Sequence, residues 1–219
     1  MKYKHQDQGG FAVVGIIIAV LAVLVVAGVA VFFVRNNATQ STSENESTTA
    51  SSSSPDFAPK STDGASYVAT LHGTAGDSTI EATIDYNGRG DSHYVGTVNG
   101  QPTEMYKIGS EYIVCSGAQC ISAPTTSQPA GSGQAQYSAE DVATWKSAAT
   151  YKGKQDCPAG SCSAWQVAKD GYTGTILVAQ DGRVSRTVWT NDRGTFTIDL
   201  DYKEVTIARP DNVMSVPGR

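Results

Sequence analysis

Histidine is scarce in this chain: 219 residues hold three, His5, His72 and His93. No His-x-x-x-His pair, Gly-x-Ser-x-Gly elbow or phosphate-cradling glycine loop occurs. The usual sequence signals of metal-assisted hydrolysis, acyl transfer and nucleotide chemistry are therefore missing. His72 and His93 fall in alternating stretches and read as strand residues. No catalytic residue, metal site or cofactor is expected. Basic residues are also in deficit, with 16 Lys and Arg against 21 Asp and Glu. Three basic and one acidic residue precede Asn36, leaving 13 against 20, a net of −7, for the remainder. A surface that acidic repels phosphate backbones, which argues against nucleic acid as a partner.

Cysteine is absent before Cys115, so no cysteine near the N-terminus can carry a lipid. The four that exist, Cys115, Cys120, Cys157 and Cys162, form two C-x4-C pairs rather than the C-x-x-C of thiol-disulfide enzymes. In an oxidising compartment they are disulfide candidates. Two local bridges suit the spacing, each closing a loop of about six residues for roughly 2 kcal/mol. Pairing between the two segments and a four-cysteine zinc site are the alternatives.

Charge is wholly missing from Phe11 to Val34, 24 residues without a charge, amide or hydroxyl. As a helix this stretch is about 36 Å long and apolar on every side, enough to cross a hydrocarbon core of about 30 Å. Lys2 and Lys4 precede it with only Asp7 against them, while Arg35 follows it and is succeeded by Glu44 and Glu46. That bias predicts a cytoplasmic N-terminus and a C-terminal domain outside the membrane. Cleavage as a secretory signal near Gly28-Val29-Ala30 is the alternative, although the run exceeds a typical h-region. The expected organisation is a cytoplasmic N-terminus (1–10), a transmembrane anchor (11–35), a flexible Ser/Thr-rich linker (36–65), a β domain (66–211) and a tail (212–219). The linker is too poor in large apolar residues to fold and would span roughly 30 Å as a coil.

From Ser66 the hydrophobic period becomes two. Ile80, Ala82, Ile84 and Tyr86 alternate with Thr79, Glu81, Thr83 and Asp85, and Phe196, Ile198, Leu200 and Tyr202 repeat the pattern. Asn87-Gly88, Asn99-Gly100 and Asp181-Gly182 supply turn signals. Strands are predicted near 66–74, 78–86, 92–98, 102–108, 111–116, 119–123, 150–156, 163–169, 174–180, 183–190, 194–202 and 204–208. Between the two groups, Ser138-x-x-Asp141 resembles a capping box, and Val142, Trp145 and Ala149 form one apolar stripe. The fold class is mainly β: one antiparallel sheet of about eleven strands with a single helix, too wide for that helix to cover, so that twist curls it. A sheet wrapped round the helix with an apolar groove, a closed barrel and a sandwich are the alternatives.

Two family resemblances follow. Gly10-Phe11 ahead of an apolar helix resembles a type IV prepilin segment, but Gly15 stands where pilins carry a glutamate. Six strands, a loop-and-helix insertion and a meander ending in Asp201-Tyr-Lys-Glu-Val-Thr-Ile-Ala-Arg-Pro210 resemble the LolA/LprG/LppX carriers. This second resemblance implies a curled antiparallel half-barrel of about eleven strands with one helix on its concave face, and a lipid-binding role: a bacterial envelope protein holding an acyl chain or acylated ligand in an apolar groove. Ile80, Ile84, Trp145, Phe196, Ile198 and Leu200 are the lining candidates. A pilin-like structural subunit and a surface binding module are the competing expectations, and Arg89-Gly90-Asp91-Ser92 is a short adhesion-like match.

Overall fold

The computed structural model describes residues 55–124, 135–169 and 172–215. The anchor stretch 11–34 and Gly10-Phe11 lie outside them. Among the described residues no helix is long and apolar enough to cross a membrane.

The first meander is β1 (Ser66–Ala75), β2 (Ser78–Asn87), β3 (Ser92–Val98), β4 (Gln101–Ile108), β5 (Glu111–Ser116) and β6 (Gln119–Pro124). A helix, α1 (Ala139–Ala148), precedes the second: β7 (Thr150–Cys157), β8 (Gly160–Lys169), β9 (Tyr172–Val178), β10 (Val184–Asn191) and β11 (Gly194–Asp201). A short β12 (Val213–Ser215) follows. All belong to one open, curled sheet in the order β12-β6-β5-β4-β3-β2-β1-β11-β10-β9-β8-β7. The halves join because β11 returns antiparallel to β1, with Leu200 opposite Ala69 and Ile198 opposite Leu71.

Alternation in the sequence becomes two faces. In β2, Ala82, Ile84 and Tyr86 are buried while Glu81 and Thr83 are exposed. Asn99 and Gly100 both take positive φ, 52° and 74°, and close the β3–β4 hairpin in two residues. The capping box at α1 is real: Ser138 Oγ accepts the Asp141 N–H at 3.1 Å, and the Asp141 carboxylate accepts the Ser138 N–H at 3.0 Å. Trp145 is the helix's one buried residue. It meets Tyr137 and Trp189 with ring centroids at 5.0 and 5.7 Å. We call the face that α1 covers the inner face.

The structure departs from the sequence expectation in two places. Residues 204–208 are not a strand, although Val205 and Ile207 are half-buried and their neighbours exposed. The segment after β11 is anchored mainly by side chains. Ser66 Oγ accepts the Val205 N–H at 2.9 Å, and Arg209 pairs with Glu111. The chain then forms β12 parallel to β6, inside the stretch 212–219 that the sequence presents as a tail. The linker is also shorter than expected, because Phe57 is buried edge-on against Trp165 with centroids 5.1 Å apart. Lys60 donates its N–H to the Gly182 carbonyl, and Thr62 to that of Tyr137. One large apolar side chain plus these bonds is enough to dock 57–65 on the sheet.

Both local disulfides form, Cys115–Cys120 and Cys157–Cys162. Cys115 and Cys120 are opposite one another on β5 and β6. Each bridge sits in a small apolar cluster, one with Ile113 and Val213, the other with Ala164 and Leu177.

Candidate functional site

The antiparallel register brings five of the groove candidates to the inner face, and α1 adds the sixth. Leu200 and Ile84 flank Ala69, Ile198 faces Leu71, and Phe196 and Ile80 flank Gly73. All six, Trp145 included, belong to one packed cluster with Tyr67, Tyr137, Trp165, Ile176 and Phe57. This part of the inner face is filled by the chain's own side chains. Phe196 lies so close over Gly73 that a β-carbon there would stand 2.3 Å from its ring. Trp189 does the same over Gly174, at 2.4 Å. These glycines act as floor space for aromatic rings.

Beyond that cluster the inner face continues. Leu200, Ala69, Ile84, Tyr94, Met105, Val114, Ile121 and Met214 are successive register partners across eight strands. Cross-strand partners share a face, so these eight form one apolar row of about 34 Å. Its burial is uneven. Leu200, Ala69 and Ile84 are buried, Tyr94 through Ile121 are partly exposed, and Met214 is 52 % exposed. Met105, Val114, Ile121 and Met214 belong to none of the packed clusters of the described residues. The candidate site is this wing, β3 to β6 with β12.

A more polar row runs beside it, two residues along each strand. Tyr67, Tyr86, Ser92, Lys107 and Tyr112 are successive partners. At its buried end Tyr67 donates to the Ala135 carbonyl at 2.9 Å, and the hydroxyls of Tyr137 and Thr187 bond at 2.8 Å. Burial raises the pKa of the Tyr67, Tyr86 and Tyr137 phenols. Tyr202 packs near Tyr67, its ring under the Arg183 guanidinium at 4.9 Å. Burial pushes its phenol up to about 12, against the pull of Arg183. Among the described residues its hydroxyl is buried without a hydrogen-bond partner.

The outer face carries a self-contained polar array. His93 lies between Asp85 and Glu104, at 3.3 and 3.1 Å, and its ring stacks on Tyr106 at 4.1 Å. Tyr106 donates to Glu104, which holds the Glu104 carboxyl below its ordinary range. The array ties β2, β3 and β4 together. His72 is an exposed strand residue. Asp199 is bonded by Arg186 through two nitrogens. Among the described residues no group of three or more His, Cys, Asp or Glu is arranged to hold a metal ion.

The Arg89-Gly90-Asp91-Ser92 match is not a displayed ligand. The Asp91 carboxylate accepts from the Gly109 N–H and the Asn87 side-chain amide, both at 2.8 Å, and Ser92 is buried. Sequence reading missed this wing because its residues show no clean alternation with polar neighbours: Val114 stands between Ile113 and Cys115, Ile121 follows Cys120 and Met214 follows Val213. Only the register aligns the four.

Compared by sequence with protein families and with curated proteins, the chain matches none. Compared by structure, it is similar to LprF from Mycobacterium bovis, with 15 % identity, 68 % of this chain and 91 % of that chain covered, and a TM-score of 0.46. It is similar to the lipoprotein LppX from Mycobacterium tuberculosis, with 14 % identity, 66 % and 90 % covered, and a TM-score of 0.46. It is also similar to a LolA superfamily protein from Nitrosomonas europaea, with 10 % identity, 70 % and 91 % covered, and a TM-score of 0.32.

Proposed function

We propose that this chain is a non-enzymatic, membrane-tethered envelope protein that holds an acyl chain or acylated ligand against the inner face of its sheet. One observation carries the reading: among the described residues, an apolar row eight strands long extends beyond the side chains that pack on it. Burying such a row removes apolar surface from water at about 25 cal/mol per Å², which favours a flat, flexible hydrocarbon over a rigid polar ligand. The ligand's place is the wing at Met105, Val114, Ile121 and Met214 rather than the packed positions near Trp145. The tether is the uncharged stretch 11–34, which leaves the β domain outside the cytoplasmic membrane. Two disulfides suit that compartment.

Native mass spectrometry of protein from a lipid-containing host tests the proposal. A bound species of lipid mass, displaced by a fluorescent fatty-acyl probe, is expected. Protein that carries no lipid and takes up no probe overturns it.

A structural or assembly subunit is the second reading, supported by the tight packing of all six original groove candidates. It expects a mature N-terminus at Phe11. Terminal sequencing that returns Met1 removes prepilin processing from consideration.

A further inference from the structure

Lys107 stands beside the wing. It lies on β4 two residues from Met105 and opposite Tyr112, so its stem rises from the inner face where the partly exposed stretch of the apolar row runs out toward Met214. It forms no ion pair among the described residues. The carboxylate whose field it feels is that of Asp91. Asp91 takes the Gly109 N–H on Oδ1 and the Asn87 amide on Oδ2. Lys107 acts on it through its field, with no ion pair among the described residues, and so keeps donors free. From Met105 the row runs outward over Val114 and Ile121 to Met214, three strand spacings or about 14 Å.

Resting on the acyl-ligand reading above, we infer that the wing selects an anionic amphiphile, its head at Lys107 and its tail along Met105, Val114, Ile121 and Met214. Lys107, a cation at the head of an apolar track, supplies the charge complementarity. A lysine recognises an anion as a point charge, so carboxylate and phosphate heads both satisfy it. The phenol of Tyr112 and the hydroxyl of Ser92 are on the same row, but both residues are nearly buried. Lys107 is the charged group that a head can reach from solvent.

The test uses the full chain in nanodiscs of a zwitterionic lipid, with diazirine-bearing probes of one tail length: palmitate, a lysophosphatidate and a monoacylglycerol. Crosslinked fraction and peptide mapping are the readouts. The anionic probes are expected to label β4–β6 or β12 peptides at about tenfold lower concentration than the neutral one. Lys107→Met keeps an apolar stem and closes that gap, whereas Lys107→Arg keeps it open. A preference for only one anionic probe supports the inference and identifies the head. Equal labelling by neutral and anionic probes, or a gap that survives Lys107→Met, overturns the inference and leaves the acyl-ligand reading standing. No labelling by any probe overturns both.

Discussion

Replacing Phe57 with alanine separates a linker from a folded element. Phe57 is 5 % exposed and packs on Trp165, so nearly its whole side chain is withdrawn from water. A buried phenyl removes about 190 Å² from solvent, worth roughly 4–5 kcal/mol at 25 cal/mol per Å² as an upper bound. Alanine recovers part of that area, and a segment near the edge of the described chain can partly collapse into the gap. The expected loss is therefore about 3 kcal/mol, at the low end for Phe→Ala in a core. For a domain of this size that lowers the melting midpoint by about 6–12 °C. Urea unfolding of the oxidised chain, followed by tryptophan emission, reads it directly, because all three tryptophans, Trp145, Trp165 and Trp189, belong to or pack against the same core. Phe57→Leu should cost less than half as much. If Phe57→Ala unfolds with the wild-type midpoint, residues 57–65 are a tether after all and the docking argument fails.

Three further outcomes follow from polar groups of the fold. Tyr137→Phe should cost about 1–3 kcal/mol, because it strips the fully buried Thr187 hydroxyl of its partner. The double change with Thr187→Val should cost less than the sum of the singles, and a strictly additive urea cycle would refute the pairing. The phenols of Tyr67, Tyr86 and Tyr137 have folded pKa values raised above the ordinary 10.0. Their contribution to stability is fully present below pH 10 and is lost as pH rises toward the folded values. Tyrosinate absorbance should show these phenols titrating after the exposed ones, together with unfolding. A single titration step near 10 in the folded protein contradicts this. In acid the sign reverses: the Gly109 N–H lowers Asp91, the Tyr106 hydroxyl lowers Glu104, and Arg209 lowers Glu111, from ordinary values of 3.8, 4.5 and 4.5. Their stabilisation is present above those values and is lost as pH falls through the lowered ones, so the urea midpoint should drop there.

Much of the architecture is local and therefore legible in the chain. Alternation at Ile80–Tyr86, the Asn99-Gly100 turn, the Ser138 and Asp141 cap and the C-x4-C spacings each specify a neighbour within a few residues. The same period-two pattern misled at 204–208, because alternating burial arises whenever an extended segment lies on a surface. Strand formation requires a partner backbone to bond, and Val205 meets the Ser66 side chain instead.

Which residues share a face, turn by turn, was thus set by the order of side chains along the chain. What the tertiary structure alone decided was where the halves meet and what remains uncovered. Leu200 joins Ala69 although the two are 131 positions apart, and Phe57 reaches Trp165 across 108. Contacts of that range depend on the return of β11 to β1, which no local pattern encodes. The apolar row ending at Met214 exists only once eight strands have been aligned. A period of two tells each residue which side it is on, but register decides its company.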